Sequence, residues 1–110
     1  MISFSSKIFI GNTIKQNKID LYKLGIKQGR GRIKLYIIAL PNNQSDQLVI
    51  YHNSSFKQKA FRKLNIRIVG MASDYEEALD VVNEIIDETI SKTGLCNIKE
   101  YLLDTYFEKD

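Results

Sequence analysis

Acid–base and nucleophilic catalysis both need complementary groups brought together, and this chain offers few candidates. It has one histidine, His52, one cysteine, Cys96, and no glycine-flanked serine of the nucleophile-elbow kind. His52 ends an apolar run and precedes Asn53, Ser54 and Ser55, a place where the free amides of a helix start can receive an anion. The commoner role of such a histidine is surface packing. Cys96 falls in a turn between two helical patterns, and a small, partly buried side chain is the commoner reading than a reactive thiolate. A single cysteine permits neither an intrachain disulfide nor a cysteine-based zinc site, a usage that fits a reducing compartment. The run Gly29-Arg30-Gly31-Arg32 has neither the G-x-G-x-x-G spacing nor the lysine–serine pair of a phosphate loop. The expectation is a non-enzymatic protein without catalytic residues, bound metal or cofactor.

Charged residues carry more information. Glu77, Asp80, Glu84, Asp87 and Glu88 recur at helical spacing. Divalent-cation sites collect oxygens from several elements, so a solvated helix face is the simpler account of one such stripe. Asp80 with Glu84, and Glu84 with Glu88, are like charges four apart, each pair costing about 0.2–0.5 kcal/mol, and no basic residue precedes Lys92 on that helix. An outward acidic face of this kind suits a basic surface on another molecule.

The basic residues form two groups. Lys27, Arg30, Arg32 and Lys34 surround Gly29 and Gly31, and Lys57, Lys59, Arg62 and Lys63 follow the serines at 54–55. Arginine forks suit phosphate oxygens, and a basic β-ribbon tip can track a phosphate backbone. Tyr22, Tyr36 and Tyr51 take corresponding positions on three expected strands, where an open sheet face would let them stack unpaired bases. The alternative is that the tyrosines cover a second apolar layer while the lysines solvate an edge. The expected nucleic-acid contacts are thus Lys27, Arg30, Arg32, Lys34, Tyr36, Lys57, Lys59, Arg62 and Lys63.

Net charge conceals this arrangement. The overall +3 divides into +11 for residues 1–72 and −8 for residues 73–110. At 110 residues and 44% hydrophobic, the chain has the size of one domain with one core. Its best apolar run, Leu35 to Leu40, is far shorter than the ~20 residues of a membrane span. The opening lacks the basic start and apolar block of a signal peptide, so a cytoplasmic location is expected.

Hydrophobic periodicity supplies the elements. Lys7 to Ile14 and Ile19 to Ile26 read as strands, and the segment between Ile26 and Ile33 as the hairpin connection whose tip is basic. Ile33 to Leu40 is apolar on both faces, as a central strand requires, and Leu48 to His52 is a fourth strand. A short basic helix follows, with Ser55 and Gln58 in a capping pattern and Phe56, Ala60 and Leu64 along one stripe. Residues 66–72 make a fifth strand, able to pair in parallel because a helix precedes it.

From Asp74 to about Lys92, Tyr75, Ala78, Leu79, Val82, Ile85, Ile86 and Ile90 trace a helical stripe, with Ser73 and Glu76 as capping box and Gly94 as terminator. A last helix is signalled by Asn97 with Glu100, its inner stripe being Ile98, Tyr101, Leu102, Thr105 and Tyr106. The expected fold is a single α+β domain: a mostly antiparallel five-stranded sheet in chain order, a short inserted helix, and two C-terminal helices packed on one face. Two functions fit it. One is nucleic-acid binding through the basic residues; the other is protein interaction or homo-oligomer formation, a basic surface meeting the acidic helix of a neighbour, with no membrane role.

Overall fold

Every strand must pair its backbone groups and cover its apolar faces, and here four strands meet both demands. The computed structural model, which describes residues 1–30, 34–43 and 46–108, places them at Ile2–Ile10 (β1), Tyr36–Leu40 (β2), Val49–His52 (β3) and Ile66–Ala72 (β4). They form one sheet in the order β1-β4-β2-β3. β4 runs parallel to β1 and antiparallel to β2, which in turn pairs antiparallel with β3. The helices are α1 (Ile19–Gln28), α2 (Lys59–Arg62), α3 (Tyr75–Thr93) and α4 (Ile98–Tyr106), with 3-10 turns at Gln16–Lys18 and Asn53–Lys57. The domain is α+β as expected, but among the described residues the sheet is mixed, has four strands rather than five, and does not follow chain order.

The missing strand is the segment from Ile19 to Ile26, which is helical. Its alternation also satisfies a helical period, since Ile19, Tyr22 and Ile26 lie three and four apart; Ile19 and Ile26 are buried and Tyr22 half-buried. Leu21 and Leu24, which a strand would have shared between its faces, stay 55% and 51% exposed. Gly29 does take a left-handed conformation, φ 70°, but to close α1, its amide bonding the carbonyls of Gly25 and Ile26. The expected hairpin is therefore a helix C-terminus; Gly31, Arg32 and Ile33, the rest of that expected turn, lie outside the described residues.

β1 begins and ends earlier than Lys7 to Ile14. Phe4 pairs with Ile68 and Phe9 with Gly70, so the residues between Phe4 and Phe9 form a wide bulge opposite Val69. Gly11 still donates to the Met71 carbonyl (3.0 Å), after which Ile14 turns back onto Gly11 (3.0 Å) and buries its side chain. Where β2 meets β4 a second irregularity falls between Ile38 and Ala39, because Ile38 pairs with Gly70 and Ala39 with Ile68. Both shifts leave Val69 without a partner, beside Gly70. A Cβ there would lie 2.9 Å from the Phe9 carbonyl oxygen and 3.1 Å from Val81 Cγ1, so only glycine lets β1 and α3 approach β4 this closely.

Both sheet faces are covered. On one, Ile2, Ile37, Ile66, Ile68 and Met71 pack with Ile19 and Ile26 of α1 and with Phe56. On the other, Phe9, Ile38, Leu40 and Val69 pack with Ala78, Val81 and Ile85 of α3 and with Ile98 and Leu102 of α4. The C-terminal helices do share one face, as expected, but α1 and α2 occupy the opposite one. In α2 the expected stripe is displaced, since Ala60 and Leu64 are exposed and Phe61 instead packs on Phe56 with ring centroids 5.0 Å apart. Burial of each large core side chain contributes about 1.5–3 kcal/mol.

Helix ends also differ in detail from their sequence signals. Asp74, not Ser73, caps α3 by accepting from the Glu77 amide (2.8 Å). His52, not Ser55, caps the 3-10 turn, and Asn97 makes no side-chain cap at α4. Gly94 closes α3 with φ 74°, as its position implies. No helix among the described residues is long and apolar enough to cross a membrane.

Replacing Gly70 by Ala should destabilise the domain by about 1–3 kcal/mol, the usual cost of overpacking a closed core. Urea unfolding followed by circular dichroism measures it; a midpoint unchanged from wild type would show that the β1–β4–α3 junction has slack.

Candidate nucleic-acid interface

With the sheet as a partition, the two charge populations acquire sides. α1 and the segment from the 3-10 turn through α2 cover one face; α3 and α4 cover the other. Lys27 and Arg30 sit at the end of α1, and Lys57, Lys59 and Arg62 on the adjoining turn and helix. These two groups meet at Gly29, where a Cβ would lie 2.0 Å from Arg62 Nη1.

Arg62 is half-buried, and its Nη1 donates to the carbonyls of Phe56 (2.7 Å) and Lys57 (3.0 Å). It therefore ties the 3-10 turn to α2 and helps seat the end of α1, a positioning role rather than the free phosphate fork expected of it. Lys27, Arg30, Lys34, Lys57, Lys59 and Lys63 are exposed, and among the described residues none of them is ion-paired. The N-terminal ammonium lies beside Lys63, donating to its carbonyl (3.2 Å) and to that of Leu64 (2.7 Å). Arg32 lies outside the described residues.

Sequence reasoning missed Lys15, Lys18 and Lys23, because it assigned the segment around them to strands. Lys15 and Lys18 are exposed on the approach to α1. Lys23 and Lys27, four apart on α1, reach over the Phe4 ring with Nζ 5.3 and 5.5 Å from its centroid. The readable signal was the spacing of Ile19, Tyr22 and Ile26, which puts Lys23 and Lys27 together on one flank of a helix.

The proposed stacking platform does not form. Tyr51 faces the α1 layer, its ring against Phe61 (5.1 Å) and Phe56 (6.3 Å), and Tyr22 packs into the same layer from α1. Tyr36 points into the opposite layer, between His52 (5.1 Å) and Tyr75 (6.0 Å). The three tyrosines are thus split between two closed layers, for the physical reason that no sheet face is left open.

The acidic stripe is less uniform than its spacing suggests. Asp80, Glu84 and Asp87 are exposed, but Glu77 and Glu88 are half-buried and engaged. Glu77 Oε2 lies within hydrogen-bond reach of the Thr13 (2.6 Å) and Ser73 (2.9 Å) hydroxyls, which also touch each other, so two hydroxyl protons serve the three contacts; Gly11 makes room, since a Cβ there would lie 1.7 Å from Glu77 Oε1. Beside it is a cleft of about 210 Å³ lined by Ile10, Asn12, Asp80 and Glu84. Among the described residues no group of three His, Cys, Asp or Glu side chains is placed to hold a metal.

Glu88 receives Lys7 Nζ (2.8 Å) on one oxygen and the hydroxyls of Tyr101 (2.9 Å) and Tyr106 (2.7 Å) on the other. The β1 bulge carries Lys7, so the relief expected from no basic residue on the helix arrives from a distant strand. Burial alone would raise the Glu88 pKa, but Lys7 and the two phenols outweigh it and hold the carboxyl below its ordinary 4.5. Burial and the same carboxylate push both tyrosines above their ordinary 10.0.

His52 spends its ring on its own turn, with Nδ1 accepting from the Ser54 amide (3.1 Å) and bonding the Ser54 hydroxyl (2.8 Å). It does not leave that amide open to an anion. Cys96 is exposed, not partly buried. Compared with protein-family models, with curated proteins and with solved structures, the chain matches none.

The Glu88 cluster sets a pH dependence. A carboxyl with a depressed folded pKa contributes stability above its unfolded pKa and loses it as pH falls through the folded one; a phenol with a raised pKa loses its contribution as pH rises past its unfolded value. Wild type should therefore exceed Glu88→Gln in stability by about 1 kcal/mol across neutral pH, since the lysine is partly exposed and the phenol bonds are charge-assisted. That advantage should shrink below pH 4.5 and above pH 10. Chemical denaturation across that range is the measurement, and a difference constant with pH would remove the cluster from the account.

Proposed function

We propose that this chain is a small, non-enzymatic, cytoplasmic protein that binds nucleic acid by laying its α1–α2 layer along the phosphate backbone. One observation carries the reading: Lys27, Arg30, Lys34, Lys57, Lys59 and Lys63 are exposed and, among the described residues, without carboxylate partners, while the acidic helix lies across the sheet. Phosphates are the natural counter-charges for such a surface, and binding releases the cations condensed on them. Lys15, Lys18 and Lys23 extend the surface along α1. Arg62 acts here by positioning the turn that carries Lys57.

With the tyrosines enclosed, backbone contact rather than base stacking is the mode, so little sequence preference is expected. Replacing Lys27, Arg30, Lys57 and Lys59 together by Gln, while leaving Arg62 in place, tests this. Fluorescence anisotropy with a mixed-sequence duplex and a single strand, at several salt concentrations, should show wild-type affinity falling steeply with salt. The slope of log K against log salt should flatten by roughly 3–4 in the variant, at ~0.9 per lost phosphate contact. Equal affinity and equal slope for variant and wild type would refute the proposal.

A further inference from the structure

α3 has more apolar surface than the sheet can cover. Its inward stripe is Ala78, Val81, Ile85 and Thr89, all buried. A second stripe, Tyr75, Leu79, Val82, Ile86 and Ile90, advances in steps of four, three, four and four residues about a quarter-turn around the helix. Val82 and Ile86 are half-buried at its edge, whereas Tyr75, Leu79 and Ile90 are 52%, 42% and 46% exposed. At 100° per residue, Glu76, Asn83 and Asp87 border the stripe on its outer side, with Asp80 and Glu84 beyond. The surface is an apolar line along an acidic bank.

The opposite layer carries the complementary pattern. Leu21 and Leu24 lie on the side of α1 turned away from Ile19, Tyr22 and Ile26, and are 55% and 51% exposed. Lys18 precedes Leu21 by three residues and Lys27 follows Leu24 by three, so each leucine has a lysine one turn away. Leu64, 49% exposed, stands next to Lys63 just beyond α2.

We propose that the partner of the α3 stripe is the α1 surface of a second copy of this chain, docked head to tail. Charge decides the mode. Pairing α3 with α3 would set Glu76, Asp80, Glu84 and Asp87 against their own copies, and pairing α1 with α1 would oppose two surfaces on which Lys18 and Lys27 outnumber Asp20; the heterologous contact joins leucines to the apolar stripe and lysines to carboxylates. The two surfaces lie on opposite faces of the sheet, so one protomer can hold two neighbours and the contact propagates. The contact and nucleic-acid binding draw on the same layer and exclude each other there, but the association does not depend on the nucleic-acid reading.

The test uses the full chain, freed of nucleic acid, in sedimentation velocity over a concentration series at low salt. Wild type should grow in mass with concentration beyond a dimer, and added salt should weaken the growth. Leu79→Lys and Leu24→Glu should each be monomeric, since each destroys one surface; both replace an exposed helical residue with another good helix former. An equimolar mixture should form dimers and nothing larger, because each variant keeps the surface the other lacks. Near-UV circular dichroism checks that the variants remain folded, and Leu79→Gln and Leu24→Gln replace any that do not. A wild type that stays monomeric to its solubility limit, a Leu24 variant that assembles like wild type, or a mixture that fails to pair would each overturn the proposal. None of these outcomes involves nucleic acid, so they leave the anisotropy experiment to be judged separately.

Discussion

A sheet whose strands are apolar on both faces must be covered twice, and in this chain that constraint governs everything else. Ile37 and Ile38 are adjacent in β2, point to opposite sides, and are both fully buried. Each side therefore demands its own helical layer. The segment after β1 and the segment after β3 supply one; the C-terminal helices supply the other. Gly70 sits at the meeting point, where a missing side chain lets β1, β2 and α3 all close on β4.

Charge segregation follows from the same partition. The acidic residues are concentrated on α3 and α4 and most of the basic ones precede β4, so a sheet placed between the two helical layers converts an asymmetry along the chain into one across the molecule. The exception is structural: Lys7 crosses to the acidic side from the β1 bulge and meets Glu88, where two phenols complete the set of donors. An unpaired carboxylate in that half-buried place would be costly, and Lys7 offsets that cost. Among the described residues no other ion pair joins the two populations.

Legibility in the sequence varied with the length of the pattern. The extent of α3 was readable because nineteen residues repeat the helical period with an acidic start and a glycine stop, but its buried face was not, since Val81 and Thr89 turn inward while Tyr75, Leu79 and Ile90 stay exposed. α1 was misread because ten residues with Leu21 and Leu24 interleaved satisfy both periods, and only tertiary burial shows which leucines are left out. That error displaced three further features: it made Gly29 a hairpin tip, gave Tyr22 a place in the sheet, and left Lys15, Lys18 and Lys23 out of the basic surface. Arg62 was named for its charge, but its work is hydrogen bonding to backbone carbonyls, which no local pattern announces.

The amino-acid order alone determined the α+β class, the long acidic helix with its terminator, the central place of β2 and the separation of charge along the chain, because each is written in residues that are neighbours or one turn apart. Strand order, the parallel β1–β4 pair, the closing of both sheet faces, the Lys7–Glu88–tyrosine cluster and the uncovered second stripe of α3 were decided by tertiary structure. These rest on contacts between residues tens of positions apart, whose formation depends on which surfaces are left after all others have packed.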